Sequence, residues 1–169
     1  MKIAIITDQH FGARKGSKLF HEYFLKFYNE VFFPTLEKEG ITTVVDMGDT
    51  FDNRRGIDFW ALDWAKENYY NRLKNMGVTV HTIIGNHTAY YKNTNDINAI
   101  SLLLGEYDNV ICYNKATEIK LDNLGVLLVR NNYTVSTDRV LDILSVFPTV
   151  SLTQPIGTQA NYSCVNVVF

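Results

Sequence analysis

The chain has 169 residues, of which 46% are hydrophobic and 20% are charged, and its formal net charge is -2. A chain of this size can bury one hydrophobic core, so we predict one domain rather than two. The slightly acidic balance excludes a surface that is basic overall, and any contact with nucleic acid must therefore be local.

The cysteines and the N-terminal residues indicate the cellular compartment in which we expect the protein. The two cysteines, Cys112 and Cys164, predict no disulfide framework and are typical of a reducing cytosol. Met1 leads directly into a strand-like run without a signal-peptide layout, and no apolar run approaches the ~20 residues that span a membrane. We therefore expect a soluble, cytoplasmic protein with no membrane partner, in the host cytoplasm if the source is viral.

The first elements are a strand over residues 2–7 and a long helix. Apolar residues at helical spacing predict this helix, with an aromatic stripe that packs against a sheet. Pro34 should bend or restart the helix, and Gly40 should end it. The stripe consists of Leu19, Phe20, Tyr23, Phe24, Phe27, Val31 and Phe32.

The same order of elements then repeats. A second strand over 42–47 precedes a helix over 59–76, which Gly77 closes, and a third strand covers 78–84. Strand, loop and helix repeated in this way predict a layered α/β fold in which neighbouring strands are parallel.

Later elements are shorter. We predict a helix over 97–104, strands over 110–112, 117–121 and 125–129, and a helical segment over 137–147. Asp122 and Asn123 would form the turn of a hairpin between the last two strands. We assign residues 1–147 to one domain and leave 148–169, with a strand-like end, as an unassigned tail.

Polar side chains follow each of the first three strands. They are Asp8 and His10 after the first, Asp49 and Asp52 after the second, and Asn86 and His87 after the third. Open α/β sheets bind ligands at the carboxyl ends of their strands. Oxygen and imidazole ligands suit Mn²⁺, Fe²⁺ or Zn²⁺, so the pattern predicts a metal site at this edge.

The motifs D-x-H, G-D-x-x-D and G-N-H, each after a hydrophobic strand, resemble the calcineurin-like metallophosphoesterase superfamily. Within it, the chain is most similar to the recombination and double-strand-break-repair endonuclease subunits of tailed bacteriophages, over about residues 1–130. The resemblance implies a layered α/β sandwich of the metallophosphoesterase type.

The resemblance also implies two divalent ions, Mn²⁺ foremost, that activate water to hydrolyse a phosphodiester. Ions ~3.5–4 Å apart can polarise both the attacking and the leaving oxygen. By resemblance, Asp8 and His10 bind the first ion, Asp49 bridges the pair, and Asn86 binds the second.

Two further residues have implied catalytic roles. His87 would stabilise the transition state and donate a proton to the leaving oxygen. Asp52 would orient the His87 imidazole and fix its tautomer. We predict structural roles for the remaining histidines, His21 and His81.

Five basic residues fall on loops predicted beside this site: Arg14, Lys15, Arg54, Arg55 and Lys92. They could contact DNA phosphates. They could equally be ordinary surface cations, and the sequence leaves both interpretations open.

The chain departs from the family pattern in two ways. Thr88 follows His87, where the family has Asp or Glu. The family also supplies metal ligands from a later single-His motif and a Gly-His-x-His motif, but none of the four histidines here lies beyond His87. The first ion then lacks one ligand and the second lacks two. The domain is incomplete in this interpretation, and we expect the chain alone to bind metal weakly and hydrolyse DNA poorly.

These departures leave three possibilities open: the chain is a fragment of a longer product, a truncated or decayed paralogue, or a protein completed by another polypeptide.

The function that the resemblance implies most strongly is that of a DNA endo- or exonuclease subunit of recombination and repair. Its partners would be DNA, an ATPase repair subunit and a second copy in a homodimer. The alternatives are a small phosphatase or phosphodiesterase of the same fold, and a non-catalytic scaffold that binds the ATPase partner.

Overall fold

The computed structural model describes residues 2–115, 117–121, 124–128 and 167–168. The strands are β1 (Ala4–Ile6), β2 (Thr43–Asp46), β3 (Thr79–Ile83), β4 (Val110–Tyr113), β5 (Thr117–Leu121), β6 (Leu124–Leu128) and β7 (Val167–Val168). Within these residues, one sheet has the order β4-β3-β2-β1-β7, with β1 to β4 parallel and β7 antiparallel to β1. The predicted α/β fold with a parallel sheet is therefore confirmed.

The helices lie between the strands of this sheet. They are α1 (Ala13–Gly16), α2 (Lys18–Phe27), α3 (Phe33–Glu39), α4 (Phe59–Ala65), α5 (Asn71–Asn75) and α6 (Ala99–Leu103). A π-helical turn over Tyr28–Phe32 joins α2 to α3, and another over Lys66–Tyr70 joins α4 to α5. Both predicted long helices are thus present, each with a widened turn inside it.

The first π turn lies directly before Pro34. Proline has no N–H and its ring crowds the carbonyl of residue i−4, so an uninterrupted α-helix is unfavourable there. In the structure the Phe33 N–H donates to the Tyr28 carbonyl, and Pro34 falls in the first turn of α3. The predicted restart is confirmed. Gly40 ends α3 with φ 62°, also as predicted.

The predicted strands 2–7, 42–47 and 78–84 each contain the observed strand and extend beyond it by one or two residues at each end. Strands β5 and β6 pair as the predicted hairpin, with β6 beginning at Leu124 rather than at Gly125. The turn at 122–123 and the helical segment predicted over 137–147 lie outside the described residues.

An aromatic core lies between the helices and the sheet. Phe11, from the loop after β1, is completely buried, and its ring centroid lies within 6.5 Å of those of Tyr28, Phe51 and Tyr69. Because Phe11 directly follows His10 in the chain, this packing anchors the β1 loop beneath the predicted ligands.

The predicted stripe on the first helix is only partly right. Leu19, Tyr23 and Val31 are exposed by 64%, 67% and 51%. The buried face instead runs through His21, Tyr28 and Phe32. The reason is that the His21 imidazole turns inward and bonds to the loop at Gly12 and Ser17, which rotates Leu19 and Tyr23 towards solvent.

No helix within the described residues is long and apolar enough to cross a membrane.

Candidate functional site

The loops after β1 and β2 run side by side. The parallel pairing of the two strands continues past their ends, because the Asp8 N–H donates to the Gly48 carbonyl at 3.1 Å and the His10 N–H to the Asp49 carbonyl at 3.0 Å. The backbone therefore holds the first two sequence motifs against each other.

The loop after β3 approaches Asp49 closely. A Cβ atom added at Gly85 would lie 2.0 Å from Asp49 Oδ1, so no side chain fits at this position. Two residues later, the His87 N–H donates to the same Asp49 Oδ1 at 2.8 Å. The glycine of G-N-H therefore lets the third motif reach the second, and Asp49 lies where the loops meet.

Two groups of candidate metal ligands result. Donor atoms of Asp8, His10 and Asp49 all lie within 4.8 Å of one another, and so do those of His10, Asp52 and His87. Ligands at ~2.0–2.2 Å from an ion stand at most ~4.4 Å apart, so small movements would let either group close around one ion. The structure thus brings together five of the six residues predicted from the strand ends in ligand-forming clusters.

His10 belongs to both groups. Its Nε2 lies 3.5 Å from Asp8 Oδ1 and its Nδ1 lies 3.3 Å from Asp52 Oδ1. The bond to Asp8 raises the pKa of His10, burial opposes the rise, and Asp49 and Asp52 add to it. The same bond lowers the pKa of Asp8. A metal at His10 must displace a proton that these carboxylates stabilise, so metal affinity should fall as the pH is lowered.

The Nδ1 atom of His10 is buried and makes no hydrogen bond within the described part of the chain, despite its distance from Asp52. A buried polar atom without a hydrogen bond is costly. A ligand at His10 would remove this cost, and the donor set of imidazole and carboxylates fits a divalent ion of the Mn²⁺ or Zn²⁺ type.

Backbone strain concentrates on the same residues. Asp8, His10 and Asp49 have φ values of 55°, 46° and 53°, in the left-handed region that residues with side chains seldom occupy. Each such conformation costs on the order of 1–3 kcal/mol and persists where surrounding structure imposes it, often at functional sites. The strain supports the assignment of these three residues to the site.

His87 is held by the main chain. Its Nδ1 lies 2.7 Å from the Asp52 carbonyl oxygen, which can only accept, so Nδ1 carries the proton of this bond. Asp52 therefore contacts the His87 ring through its main-chain carbonyl, while its carboxylate lies beside His10. This is because the loop after β2 passes His87 with its backbone and directs the Asp52 side chain towards the β1 loop.

Asn86 differs from the other five residues. Its side chain is exposed, and its main-chain carbonyl oxygen accepts a 2.6 Å hydrogen bond from Arg54 Nη2. Arg54 therefore fixes the third loop to the second. The other predicted DNA-contact residues, Arg14, Lys15, Arg55 and Lys92, are exposed, and their contact with DNA remains a prediction.

The remaining histidines have structural contacts, in agreement with the sequence interpretation. His21 accepts from the Gly12 N–H at 3.2 Å and donates to the Ser17 carbonyl at 2.8 Å. His81 Nδ1 lies 2.8 Å from the Tyr113 hydroxyl, and the two rings stack.

Comparison with known proteins identifies the family of this chain. The family described as calcineurin-like phosphoesterase matches residues 1–161. The chain belongs to this family. It is also similar to exonuclease subunit 1 of Enterobacteria phage T4, with 33% identity over 129 residues. That alignment covers 76% of the present chain and 38% of the phage protein, so the chain spans well under half of the relative's length.

Sequence reasoning gave no role to Asp46, yet its hydrogen bonds join the two loops that carry candidate ligands. Asp46 is completely buried and accepts hydrogen bonds from Gln9 Nε2 at 3.1 Å, the Gly48 N–H at 2.9 Å and Thr50 Oγ1 at 2.9 Å. Gln9 in turn accepts from the Tyr28 hydroxyl at 2.6 Å. The network joins both loops to the first long helix. The signal in the sequence was a carboxylate inside an apolar strand.

Asp46 should make stability depend on pH. Burial raises its pKa to about 7, against the lowering effect of its three donors. Since the unfolded chain releases this proton at a lower pH, the folded chain binds more protons between about pH 4 and 7, and the stabilising contribution is lost as the pH rises through this range. We expect the free energy of unfolding to fall with pH at a slope that approaches about 1.4 kcal/mol per pH unit. Urea unfolding of the parent and of Asp46→Asn from pH 4 to 8 measures this slope. If the free energies of the two proteins change with pH in parallel, the prediction is wrong.

Asp46→Ala should lower the free energy of unfolding by about 3 kcal/mol. It leaves Gln9 Nε2 and the Gly48 N–H as buried donors without acceptors, and each such group costs about 1–3 kcal/mol. Chemical denaturation followed by circular dichroism measures the change. Asp63→Ala, at an exposed position of α4, is the matched control and should change stability by less than about 0.5 kcal/mol. Equal effects at the two positions would show that the network adds nothing.

Proposed function

We propose that this chain forms part of the active site of a metal-dependent DNA nuclease that hydrolyses phosphodiesters in recombination and repair. One observation carries the proposal: donor atoms of Asp8, His10 and Asp49 converge within 4.8 Å at the carboxyl end of a parallel sheet, in a chain of the calcineurin-like phosphoesterase family. The similarity to a phage protein named as an exonuclease subunit supports DNA as the substrate.

Two divalent ions, Mn²⁺ foremost, are part of this proposal. Asp8 and His10 would hold one ion, Asn86 would contribute its side-chain oxygen to the other, and Asp49 would lie between them. When bound, such ions supply Lewis acidity and lower the pKa of coordinated water. Asp52, which lies beside His10, would be available to the first ion as well.

His87 would contribute proton transfer. With the Nδ1 proton bound to the Asp52 carbonyl, the opposite nitrogen, Nε2, is the atom left to meet the substrate. In the imidazolium form, Nε2 can donate a proton to the leaving oxygen of the phosphodiester. The contact with the Asp52 carbonyl holds the ring, and the bond from the main-chain N–H to Asp49 holds the backbone of His87.

The proposal includes partner polypeptides. The phage relative is named a subunit, which supports an assembly with a second polypeptide. We propose an ATPase repair subunit as this partner and a homodimer as the assembly of the chain itself. The absence of histidines beyond His87 means that further imidazole ligands would come from another polypeptide or from a longer product.

A substrate panel tests the proposal. The chain is incubated with Mn²⁺ and linear DNA, an aryl phosphate monoester or an aryl phosphodiester, each with an EDTA control. We expect Mn²⁺-dependent release of nucleotides from DNA, slow for this chain and faster for a longer polypeptide that carries the later histidine motifs. Hydrolysis of the monoester without that of DNA would favour the phosphatase alternative. No hydrolysis of any substrate by either polypeptide would favour the alternative of a non-catalytic scaffold.

A further inference from the structure

Gln9 lies between two candidate metal ligands, but its side chain is bonded elsewhere. Asp8 and His10 offer donor atoms to one candidate ion. Gln9 is buried, with only 3% of the residue exposed, and its Oε1 accepts from the hydroxyl of Tyr28, on the first long helix, at 2.6 Å. Its Nε2 donates to Asp46 Oδ2 at 3.1 Å. Both ends of the Gln9 amide are therefore held beneath the loop.

Asp46 makes the corresponding contacts with the loop after β2. Its Oδ1 accepts from the Gly48 N–H at 2.9 Å, and its Oδ2 accepts from Thr50 Oγ1 at 2.9 Å. Gly48 and Thr50 are the two neighbours of Asp49 in the chain. One buried carboxylate is thus bonded to both neighbours of Asp49 and, through Gln9, to the residue between the ligands of the first loop.

The ligand residues need support of this kind because their backbones are strained. Asp8, His10 and Asp49 have positive φ values, which persist only where the surrounding structure imposes them. Two main-chain hydrogen bonds align the loops, and the bond from Gln9 to Asp46 is a further connection made by buried side chains. Residues that hold metal ligands in place change metal affinity by about 10–100-fold when they are lost.

We propose that Gln9 and Asp46 are a positioning pair: their hydrogen bond sets how closely the ligands of the first loop approach Asp49, and thereby the affinity of the site for a divalent ion. Tyr28 is the third member, because its bond to the Gln9 oxygen directs the Gln9 nitrogen towards Asp46. The inference rests on the proposed function, of which the metal site is a part. It adds residues that belong to neither group of candidate ligands.

Two tyrosine variants separate positioning from stability. Tyr28→Phe removes the hydroxyl that donates to Gln9 Oε1 at 2.6 Å, and Tyr107→Phe removes a hydroxyl that donates to Asn71 Oδ1 at 2.7 Å. Both tyrosines are buried, but Tyr107 precedes β4 and lies at the amino end of the parallel sheet, opposite the ligands. We expect Tyr28→Phe to lower Mn²⁺ affinity about fivefold, the factor that corresponds to one ordinary hydrogen bond, and Tyr107→Phe to leave it unchanged.

Gln9→Met tests the pair directly. Methionine is similar in length to glutamine but makes neither hydrogen bond, so we expect Mn²⁺ affinity to fall by about 10–100-fold. The double variant Gln9→Glu with Asp46→Asn should recover most of this loss, because the amide and the carboxylate exchange positions and can bond again. Gln9→Glu alone should not recover it, since it places two buried carboxylates against each other.

Paramagnetic broadening of amide resonances by Mn²⁺ measures the affinities, and circular dichroism checks that each variant is folded. Hydrogen exchange of the His10 N–H in EDTA provides a readout without metal. This N–H donates to the Asp49 carbonyl at 3.0 Å. It should exchange faster in Gln9→Met and Tyr28→Phe than in the parent, because the two loops are held together less firmly, and at the parent's rate in Tyr107→Phe.

Parent-like Mn²⁺ affinity in folded Gln9→Met would overturn the inference. Equal losses of Mn²⁺ affinity in Tyr28→Phe and Tyr107→Phe would also overturn it, because the effect would then be one of general stability. If Gln9→Met does not fold, the two tyrosine variants decide.

DNA hydrolysis is a separate outcome. If the variants weaken Mn²⁺ binding as expected but the parent releases no nucleotides from DNA, the nuclease proposal fails and the positioning pair stands. If the parent hydrolyses DNA and Gln9→Met keeps both its rate and its Mn²⁺ affinity, the positioning pair fails and the nuclease proposal stands. A parent that binds no Mn²⁺ would overturn the proposed metal site and this inference together.

Discussion

Asp49→Asn is expected to abolish metal-dependent hydrolysis while leaving the fold intact. The change removes the negative charge proposed to lie between the two ions. It keeps an Oδ1 atom that can accept the hydrogen bond which the His87 N–H donates to Asp49 at 2.8 Å in the parent. Asparagine also tolerates the left-handed backbone observed at this position, with φ 53°. We expect Mn²⁺ affinity to fall by more than about 100-fold, because loss of a residue that merely supports a metal ligand already costs about 10–100-fold.

Calorimetric titration of Mn²⁺ into the parent and Asp49→Asn measures the loss, and circular dichroism checks that the variant is folded. Without metal, the variant should be at least as stable as the parent, since one of several neighbouring carboxylates has been neutralised. Asp63→Asn, on the exposed face of α4, is the control and should bind Mn²⁺ as the parent does. Equal Mn²⁺ affinity of parent and Asp49→Asn would remove Asp49 from the site.

The arrangement of the sheet follows from the sequence because two patterns agree. Each of the first three strands is a short β-branched run, and each is followed by Asp, Asn or His rather than by turn residues alone. Helices between such strands require parallel neighbours, and parallel strands carry their carboxyl ends to one edge. Those two rules suffice to bring Asp8, His10, Asp49 and His87 together.

The packing of the first helix could not be read from apolar spacing. A pattern of apolar residues leaves out His21 as polar, yet this side chain is buried because both ring nitrogens find backbone partners. Tyr23 and Leu19, which the pattern places inside, are exposed instead. Periodicity considers the polarity of each side chain in isolation, whereas burial depends on whether each polar atom finds a partner.

The role of Asp46 and the atoms that hold His87 lay beyond sequence reasoning for a related reason. A carboxylate in an apolar strand predicts a cost, but its three donors come from residues that are distant or unremarkable in the sequence, such as Gln9 and Thr50. Likewise, G-D-x-x-D specifies Asp52 by its side chain, whereas the bond to His87 uses its carbonyl. Main-chain partners depend on the path of the loop, which the motif does not record.

His87→Ala and His10→Ala should impair the protein in different ways. His87 is proposed as a proton donor, and loss of general acid catalysis typically lowers the rate by ~10²–10⁴-fold with little change in metal affinity. His10 lies between the Asp8 and Asp52 carboxylates, so its loss should weaken Mn²⁺ binding directly. Rate and affinity therefore separate the two histidines.

The measurement is the hydrolysis rate at saturating Mn²⁺ together with the Mn²⁺ affinity of each variant. His81→Ala serves as the matched control, because His81 contacts Tyr113 in the sheet and belongs to neither ligand group within the described residues. We expect His87→Ala to stay slow however much Mn²⁺ is added and His10→Ala to recover in part. Donor atoms of His87 also lie within 4.8 Å of those of His10 and Asp52. If His87→Ala loses Mn²⁺ as severely as His10→Ala, His87 is therefore a metal ligand and the proton must come from another group.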